Sequence, residues 1–146
     1  MKAIFIFVLG VMMSGASFAA DTGSSEPVVV DKAMQAARAQ IAKKDWMAAV
    51  ATLEPYTKAN AKSADGFNLL GYSYRNLKRY DESLVAYKQA LTLDPKHRGA
   101  HEYIGIAYIQ MGQPAKAREH LAALDKICTF SCEEYRDLKK ALEAVK

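Results

Sequence analysis

The sequence is poor in the residues that build metal, phosphate and thiol sites. Its 146 residues include two cysteines and three histidines, and they contain neither an HExxH motif nor a glycine-rich phosphate loop. His97 and His101 have the four-residue spacing of zinc ligands on one helix face, but two ligands do not complete a site and no third is evident nearby. We therefore predict no metal, no cofactor and no enzymatic activity.

The sequence also lacks a hydrophobic run long enough to cross a membrane. Lys2 precedes an apolar stretch over residues 3–13 and then the small residues of "SGASFAAD", which is the layout of a secretory signal peptide. The apolar stretch is shorter than the roughly 20 residues that span a bilayer. We expect cleavage after Ala19, so that residues 1–19 are removed and the mature chain is exported without membrane insertion.

The sequence has only a small excess of one charge sign. Lys2 is the one charged residue in the predicted signal peptide, so the net charge of +4 becomes +3 when that segment is removed. This excess is mild and is spread over segments that carry both signs, and exported proteins seldom meet nucleic acid. Nucleic acid is therefore not the expected partner.

What the chain does have is a repeat with a period of 34 residues. A stretch beginning "ADGFNLLGYSYRN" aligns with one beginning "RGAHEYIGIAYIQ", which places Gly71 on Gly105 and Tyr74 on Tyr108. A third, weaker copy occupies residues 30–63. Apolar residues recur at spacings of three and four in each half of a copy, which predicts two amphipathic helices. Each copy is then a helical hairpin that must stack on its neighbours to bury its second face.

The pattern resembles the tetratricopeptide repeat. The residues of the middle copy that carry this resemblance are Phe67, Leu70, Gly71, Tyr74, Ser83, Tyr87, Ala90 and Pro95. "FNLLGYSYR", "HRGAHEYIGIAYIQMG" and "ICTFSCEEYRDLKKAL" are further similar to a group of small exported bacterial tetratricopeptide proteins with a C-terminal Cys-x3-Cys. The resemblance implies an all-α solenoid in the bacterial periplasm. Its expected parts are a flexible lead-in at 20–29, three repeats at 30–63, 64–97 and 98–131, and a capping helix at 132–146.

Two helix boundaries are predicted from local rules. Pro55 lies inside the second helix of the first copy, and it is expected to stop or kink that helix near Glu54, because an interior proline removes a hydrogen bond and clashes with the preceding turn. Ser131 is followed three residues later by Glu134, which is the pattern of a capping box. Ser131 is therefore expected to begin the final helix.

The binding surface is predicted from the resemblance. In tetratricopeptide arrays the first helix of each hairpin lines the concave side, so the groove is expected there. Two arginines beside an amide and an aromatic ring suit a peptide that carries carboxylate and apolar groups. For Leu69, Tyr103 and Ile106, packing against neighbouring helices stays open as an alternative. The groove candidates are Arg38, Ile41, Asn68, Leu69, Tyr72, Arg75, Glu102, Tyr103, Ile106 and Ile109.

Cys128 and Cys132 are predicted to form a disulfide. In a continuous helix their Cβ atoms would lie about 5 to 6 Å apart, whereas a disulfide needs about 3.5 to 4.5 Å. The residues between them predict a break in the helix, so the chain can turn and bring the sulfur atoms together. Export would place the pair in an oxidising compartment. Free thiols, a metal ligand pair and a redox pair remain alternatives.

Taken together, the residues and the resemblance predict an exported protein-interaction module. Its expected partner is another protein or peptide segment, which an adaptor or assembly factor of the envelope would hold in its groove. One alternative is a structural accessory subunit of an envelope complex, which packs through its outer face or its cap. The other is a thiol oxidoreductase built on Cys128 and Cys132.

Overall fold

A computed structural model describes residues 31–145. Within this range the chain forms seven α-helices and no strand, so the predicted all-α class is confirmed. The predicted signal peptide at residues 1–19 and the lead-in at 20–29 lie outside the described residues. The helices are α1 (Lys32–Ala42), α2 (Trp46–Ala59), α3 (Ala64–Asn76), α4 (Tyr80–Leu93), α5 (Arg98–Gln110), α6 (Pro114–Ile127) and α7 (Glu133–Ala144).

The helices are arranged in an inner and an outer row. Each of the pairs α1–α2, α3–α4 and α5–α6 packs as a hairpin, and each hairpin also packs against the helix that follows it. The odd-numbered helices contact one another in succession, whereas α2, α4 and α6 do not pack against one another within residues 31–145. The odd-numbered helices therefore form the tighter, concave side of a curved stack. This confirms the predicted helical solenoid with a C-terminal helix.

The middle hairpin depends on a close approach between α3 and α4. A β-carbon at Gly71 would lie 2.6 Å from the ring of Tyr87, which is fully buried. The buried hydroxyl of Ser83 donates a hydrogen bond to the carbonyl oxygen of Gly71 over 2.8 Å. Only small residues at positions 71 and 83 leave room for the aromatic ring, which explains why the two helices can pack so tightly.

The hydrophobic core consists of two clusters. The first joins α1 to α4, and the second runs from α4 to α7. Leu138 and Leu142 of α7 are buried in the second cluster, while Lys139 and Lys140 on the same helix are exposed. The last helix therefore covers the apolar face of the α5–α6 hairpin and turns a charged face to water. None of the described helices is long and apolar enough to span a bilayer.

Of the two predicted effects of Pro55 on the second helix, a stop near Glu54 is wrong, while a kink there stays a prediction. Helix α2 continues through Pro55 to Ala59. The missing N–H of Pro55 leaves the carbonyl of Ala51 without its helical partner. Both residues are exposed, so water can hydrate that carbonyl and the cost of the proline stays small.

The predicted capping box is also wrong. The N-cap of α7 is Cys132 rather than Ser131, and its side chain makes no capping hydrogen bond. The carboxylate of Glu134 lies instead 3.5 Å from Nε of Arg98 on α5, while Nη1 of Arg136 donates to the carbonyl oxygen of Ser131 over 2.9 Å. A contact with the preceding hairpin and a local hydrogen bond to the connecting segment thus replace the capping pattern.

The two cysteines flank the connection between α6 and α7. Cys128 follows the last residue of α6 and Cys132 precedes the first residue of α7. Their sulfur atoms lie at disulfide distance, and their Cα atoms are 5.7 Å apart. A bridge at this point would join the last repeat to the cap. That the pair is oxidised in the cell stays a prediction.

Candidate functional site

Aromatic rings surround one arginine in the middle of the concave side. Tyr72 of α3 packs against Tyr103 of α5 with ring centroids 4.8 Å apart, and it meets Trp46 of α2 edge to face at 5.6 Å. The guanidinium of Arg75 lies 5.1 Å from the ring centroid of Tyr72 and 5.8 Å from that of Tyr103. Both distances are within the range of cation–π attraction. These four residues are called the aromatic cluster below.

The positive charge of Arg75 has no carboxylate partner within the described range 31–145. Nη1 donates to the side-chain oxygen of Gln110 over 3.3 Å, and Nε is buried without a hydrogen-bond partner. Among residues 31–145, Arg75 forms no ion pair. The hydroxyl of Tyr87 is buried close to Arg75, and burial raises the pKa of this group, whereas Arg75 and Ser83 beside it act in the opposite direction. The site therefore holds a cation with hydrogen-bonding capacity to spare.

Arg38, the second predicted cation of the groove, makes different contacts. Its Nη2 lies 3.5 Å from Oδ2 of Asp65, and the other carboxylate oxygen of Asp65 lies 3.0 Å from Nε2 of His97. The side chains of Arg38 and Asp65 are largely exposed, so this ion pair contributes little to stability. It connects α1, α3 and α5 at the surface and leaves Arg75 as the cation of the aromatic cluster.

The apolar groove candidates are divided between the surface and the core. Ile41 and Leu69 are partly buried against the first core cluster. Tyr103, Ile106 and Ile109 are partly buried against the second. Each of these side chains contributes to core packing and keeps part of its surface exposed. A role in packing therefore does not exclude a role in the groove.

A cavity with mostly acidic walls lies between α5 and α7, with α3 on one side. Its volume is about 270 Å³. Burial, assisted by the charges of Asp137 and Glu134, raises the pKa of Glu102 to about 7, while Arg75 acts in the opposite direction. The cavity, called the acidic pocket below, is lined by Asn68, Gly99, Glu102, Tyr103, Glu133, Glu134 and Asp137.

Sequence reasoning missed the residues that α7 contributes to the acidic pocket. The sequence predicts the final helix only as a cap, and none of its acidic residues is among the predicted groove residues. The 34-residue period could have indicated one of them, because Asp137 lies 34 residues after Tyr103 and so occupies the equivalent position of the next repeat. When the 34-residue period is extended beyond the third repeat, α7 takes the position of the inner helix of a further, incomplete repeat.

A larger and more apolar cavity shares no residue with the predicted groove. Its volume is about 500 Å³. Val85 on its rim is 70% exposed, which is unusual for a large aliphatic side chain. The side chains around it come from α3 and α4, and they are Phe67, Leu70, Tyr74, Asp81, Glu82, Val85, Ala86 and Gln89.

The histidines serve structural roles in the part of the chain that the structure describes. Nδ1 of His97 accepts from the backbone N–H of Ala100 over 3.1 Å and so caps α5. Nδ1 of His101 lies 3.0 Å from Nδ1 of His120, whose pKa is lowered to about 4 by burial and by the neighbouring ring. No three His, Cys, Asp or Glu side chains among residues 31–145 are placed to hold a metal ion.

Comparisons with known proteins support the repeat architecture. Residues 64–97 match the family model of the tetratricopeptide repeat. No curated protein matches the chain. Among solved structures, a mutant form of MamA is 27% identical over 70% of this chain and 75% of that one, with a TM-score of 0.63.

Two further structures extend the same comparison. MamA 41-end from Desulfovibrio magneticus RS-1 is 20% identical over 70% of this chain and 58% of that one, with a TM-score of 0.64. The Yersinia enterocolitica type III secretion translocator chaperone SycD is 17% identical over 78% of this chain and 89% of that one, with a TM-score of 0.70. At these identities the two structures show a shared fold.

Proposed function

We propose that this chain, which carries a tetratricopeptide repeat within an all-α helical solenoid, is a protein-interaction module that holds a segment of another protein in its concave groove. The observation that carries the proposal is the aromatic cluster, in which Arg75 lies against the rings of Tyr72 and Tyr103, and Trp46 packs against Tyr72. Aromatic residues and arginine are enriched in protein interfaces. The expected segment brings a carboxylate to Arg75 and apolar groups to the rings.

The second part of the proposal concerns location. The layout of residues 1–19 supports export to the periplasm of a bacterium, although this segment lies outside the described residues. Cys128 and Cys132 at disulfide distance are what an oxidising compartment would favour. In that compartment the partner is a protein of the envelope, and the chain acts on it as an adaptor or assembly factor.

The alternative is a structural accessory subunit of an envelope complex. The observation that favours it is the apolar cavity between α3 and α4, with Val85 exposed on its rim. A subunit that packs permanently through this face would bury Val85 and would not need the aromatic cluster. The two functions therefore predict different effects of substitutions at Arg75 and Val85.

Affinity capture from the envelope fraction tests the proposal. The bait is the purified protein, and the captured proteins are identified by mass spectrometry. Arg75→Gln should abolish capture of the specific partner, since it replaces the charged guanidinium by a neutral amide that can still donate hydrogen bonds. Arg118→Gln, which removes an exposed charge on α6, is the matched control and should capture normally. Capture that survives Arg75→Gln but is lost in Val85→Glu would overturn the groove proposal and support the accessory subunit.

A further inference from the structure

The acidic pocket concentrates carboxylates that have little internal compensation. Glu102 comes from α5, while Glu133, Glu134 and Asp137 come from the first turns of α7. Arg98 pairs with Glu134 at 3.5 Å, and it is about half exposed. Within residues 31–145 the other three carboxylates form no ion pair. A pocket of this kind attracts a positive charge from outside.

Asn68 adds a buried polar group without a hydrogen-bond partner to the same pocket. Its side chain lines the pocket from α3, and the residue is only 7% exposed. The carboxamide oxygen is buried and accepts no hydrogen bond. Its nitrogen lies against Gly99, where a β-carbon would come within 3.3 Å. A buried amide oxygen without a partner is costly, and a donor from a bound group would supply what is missing.

We propose that the acidic pocket receives a lysine or arginine side chain of the segment that the groove holds. The cationic head group would be surrounded by Glu102 on α5 and by Glu133 and Asp137 on α7, with Asn68 as an additional acceptor. Ammonium and guanidinium groups carry several donors, and hydrogen bonds from a charged donor to a carboxylate are among the stronger ones in proteins. The inference deepens the proposed function and rests on it.

A basic side chain fits the pocket better than a metal ion does. The carboxylates are not placed to surround a single ion, and a calcium ion needs six to eight oxygen ligands at close range. A lysine or arginine instead distributes its donors over separated acceptors and fills the remaining space with its aliphatic stem. A volume of about 270 Å³ suits such an extended side chain.

The position of Tyr103 connects the pocket to the aromatic cluster. Its ring lines the acidic pocket and also lies 5.8 Å from the guanidinium of Arg75. A segment that follows the concave side would therefore pass a positive site at Arg75 and a negative site at Glu102. The preferred segment contains an acidic residue or a carboxylate close to a basic residue, and this charge order would set the direction in which it binds.

Small cationic probes test the pocket without knowledge of the partner. The ¹⁵N-labelled purified protein is titrated separately with Nα-acetyl-lysine amide and Nα-acetyl-arginine amide, and amide shifts are followed by NMR. At least one of these probes should shift the resonances of Gly99, Glu102, Tyr103 and Asp137 in a saturable manner. Nα-acetyl-norleucine amide has the same stem without the charge and should leave them unchanged. Equal shifts with all three probes, or none with either cation, would overturn the proposal.

Matched variants locate the binding. Asp137→Asn should weaken binding of the cationic probe about three- to tenfold, since it removes one charged acceptor. Asp137 is exposed, so this variant is expected to fold, and its circular dichroism spectrum verifies that. Glu143→Gln removes an exposed carboxylate farther along α7 and should change nothing. Equal affinities of the parent protein and Asp137→Asn would contradict the proposal.

Three further outcomes test this inference, and the last two separate it from the proposed function. If calcium chloride alone shifts the four resonances while neither amide does, the pocket is a metal site and the proposal fails. A second outcome is that Arg75→Gln loses partner capture, while Asp137→Asn captures the partner normally and binds the cationic probes with the same affinity as the parent protein. In that case the groove function stands and the pocket inference falls. If neither substitution affects capture although the probes bind at Asp137, the pocket is a cation site, but the groove function falls and with it the claim that the cation belongs to a partner segment.

Discussion

Gly105 of α5 lies directly against Leu138 of α7. A β-carbon at Gly105 would come within 2.5 Å of Cδ1 of Leu138, whose side chain is fully buried. Leu138 also follows Ile104 by one 34-residue period. The C-terminal helix is therefore packed as the inner helix of a further repeat, and it both covers the core and contributes acidic residues to the concave side.

This contact predicts the effect of Gly105→Ala. Glycine to alanine in a helix normally stabilises by about 0.8 to 1.0 kcal/mol. Here the new methyl group overlaps Leu138, so we expect a net loss of about 1 to 3 kcal/mol in the free energy of unfolding, measured by urea denaturation.

A double-mutant cycle separates the overlap from other causes. Leu138→Ala alone should cost about 2 to 5 kcal/mol because it leaves a cavity. In that background Gly105→Ala should cost little or even stabilise, since the side chain that it met is gone. Strictly additive losses would show that α7 does not press on Gly105.

The outcome at three residues shows how far a repeat pattern carries a structural prediction. The 34-residue period aligns Gly71 with Gly105, and in the structure each of these glycines lies against a buried side chain of a neighbouring helix, Tyr87 and Leu138 respectively. Pro55 was misjudged because a local rule ignores whether the freed carbonyl is exposed. Ser131 was misjudged because the ion pair between Glu134 and Arg98 competes with local capping, and that pair depends on the tertiary arrangement.

The acidic pocket could not be predicted from the sequence for a similar reason. Asn68, Glu102 and Tyr103 were predicted as groove residues, but nothing in their spacing shows that α7 returns to meet them. The contact between α5 and α7 is needed to bring Asp137 near Glu102. Only an extension of the period across the short segment that contains the cysteines would have suggested it.

Removal of the cysteine pair should destabilise the protein. Closing so short a loop reduces the entropy of the unfolded chain by an amount worth about 2 kcal/mol in the loop-entropy model. The variant Cys128→Ser/Cys132→Ser should lose up to that amount in urea denaturation, and a reducing agent should have the same effect on the parent protein. The reducing agent should not affect the variant.

Mass spectrometry of the unreduced protein after alkylation tests the same prediction from the chemical side. A bridged pair takes up no alkylating reagent until a reductant is added. Two alkylated cysteines in protein that has been purified without reductant would contradict the bridge.

The stability of the protein should depend on pH through Glu102. Its pKa is raised from 4.5 to about 7 in the folded state, first by burial and then by Asp137 and Glu134. Between these values the folded state binds more protons at this group than the unfolded state does, so its contribution to stability decreases as the pH rises. The charged and titratable groups around Glu102 are Arg75 from α3, Tyr103 from α5, and Glu133, Glu134 and Asp137 from α7. Arg98 pairs with Glu134.

The comparison with Glu102→Gln isolates this contribution. The pKa of His120 is lowered to about 4, so this residue titrates in a range that overlaps with that of Glu102. Its contribution to the free energy of unfolding decreases as the pH falls. The difference in unfolding free energy between the parent and Glu102→Gln removes the contribution of His120. We expect the variant to gain stability relative to the parent as the pH rises from 4.5 to about 7. A constant difference over this range would show that Glu102 titrates normally.

Binding of a cation to the acidic pocket should show the complementary dependence on pH. A positive charge favours the ionised form of Glu102, so the affinity for Nα-acetyl-lysine amide should rise between about pH 6 and about pH 8. In Glu102→Gln the affinity should be lower, and its rise over the same range should be smaller. The same rise in both proteins would assign the pH dependence to another group.

The groove itself is tested most directly by photo-crosslinking in the living cell. A benzoylphenylalanine at position 110 places the reactive group beside Arg75, since Gln110 contacts that residue and is exposed. The same amino acid at positions 47 and 85 reports on α2 and α4, where Met47 and Val85 are exposed. A groove that holds a partner segment predicts a specific adduct at position 110 and none at the other two. Adducts at 47 or 85 without one at 110 would contradict the groove and place the partner on the outer face.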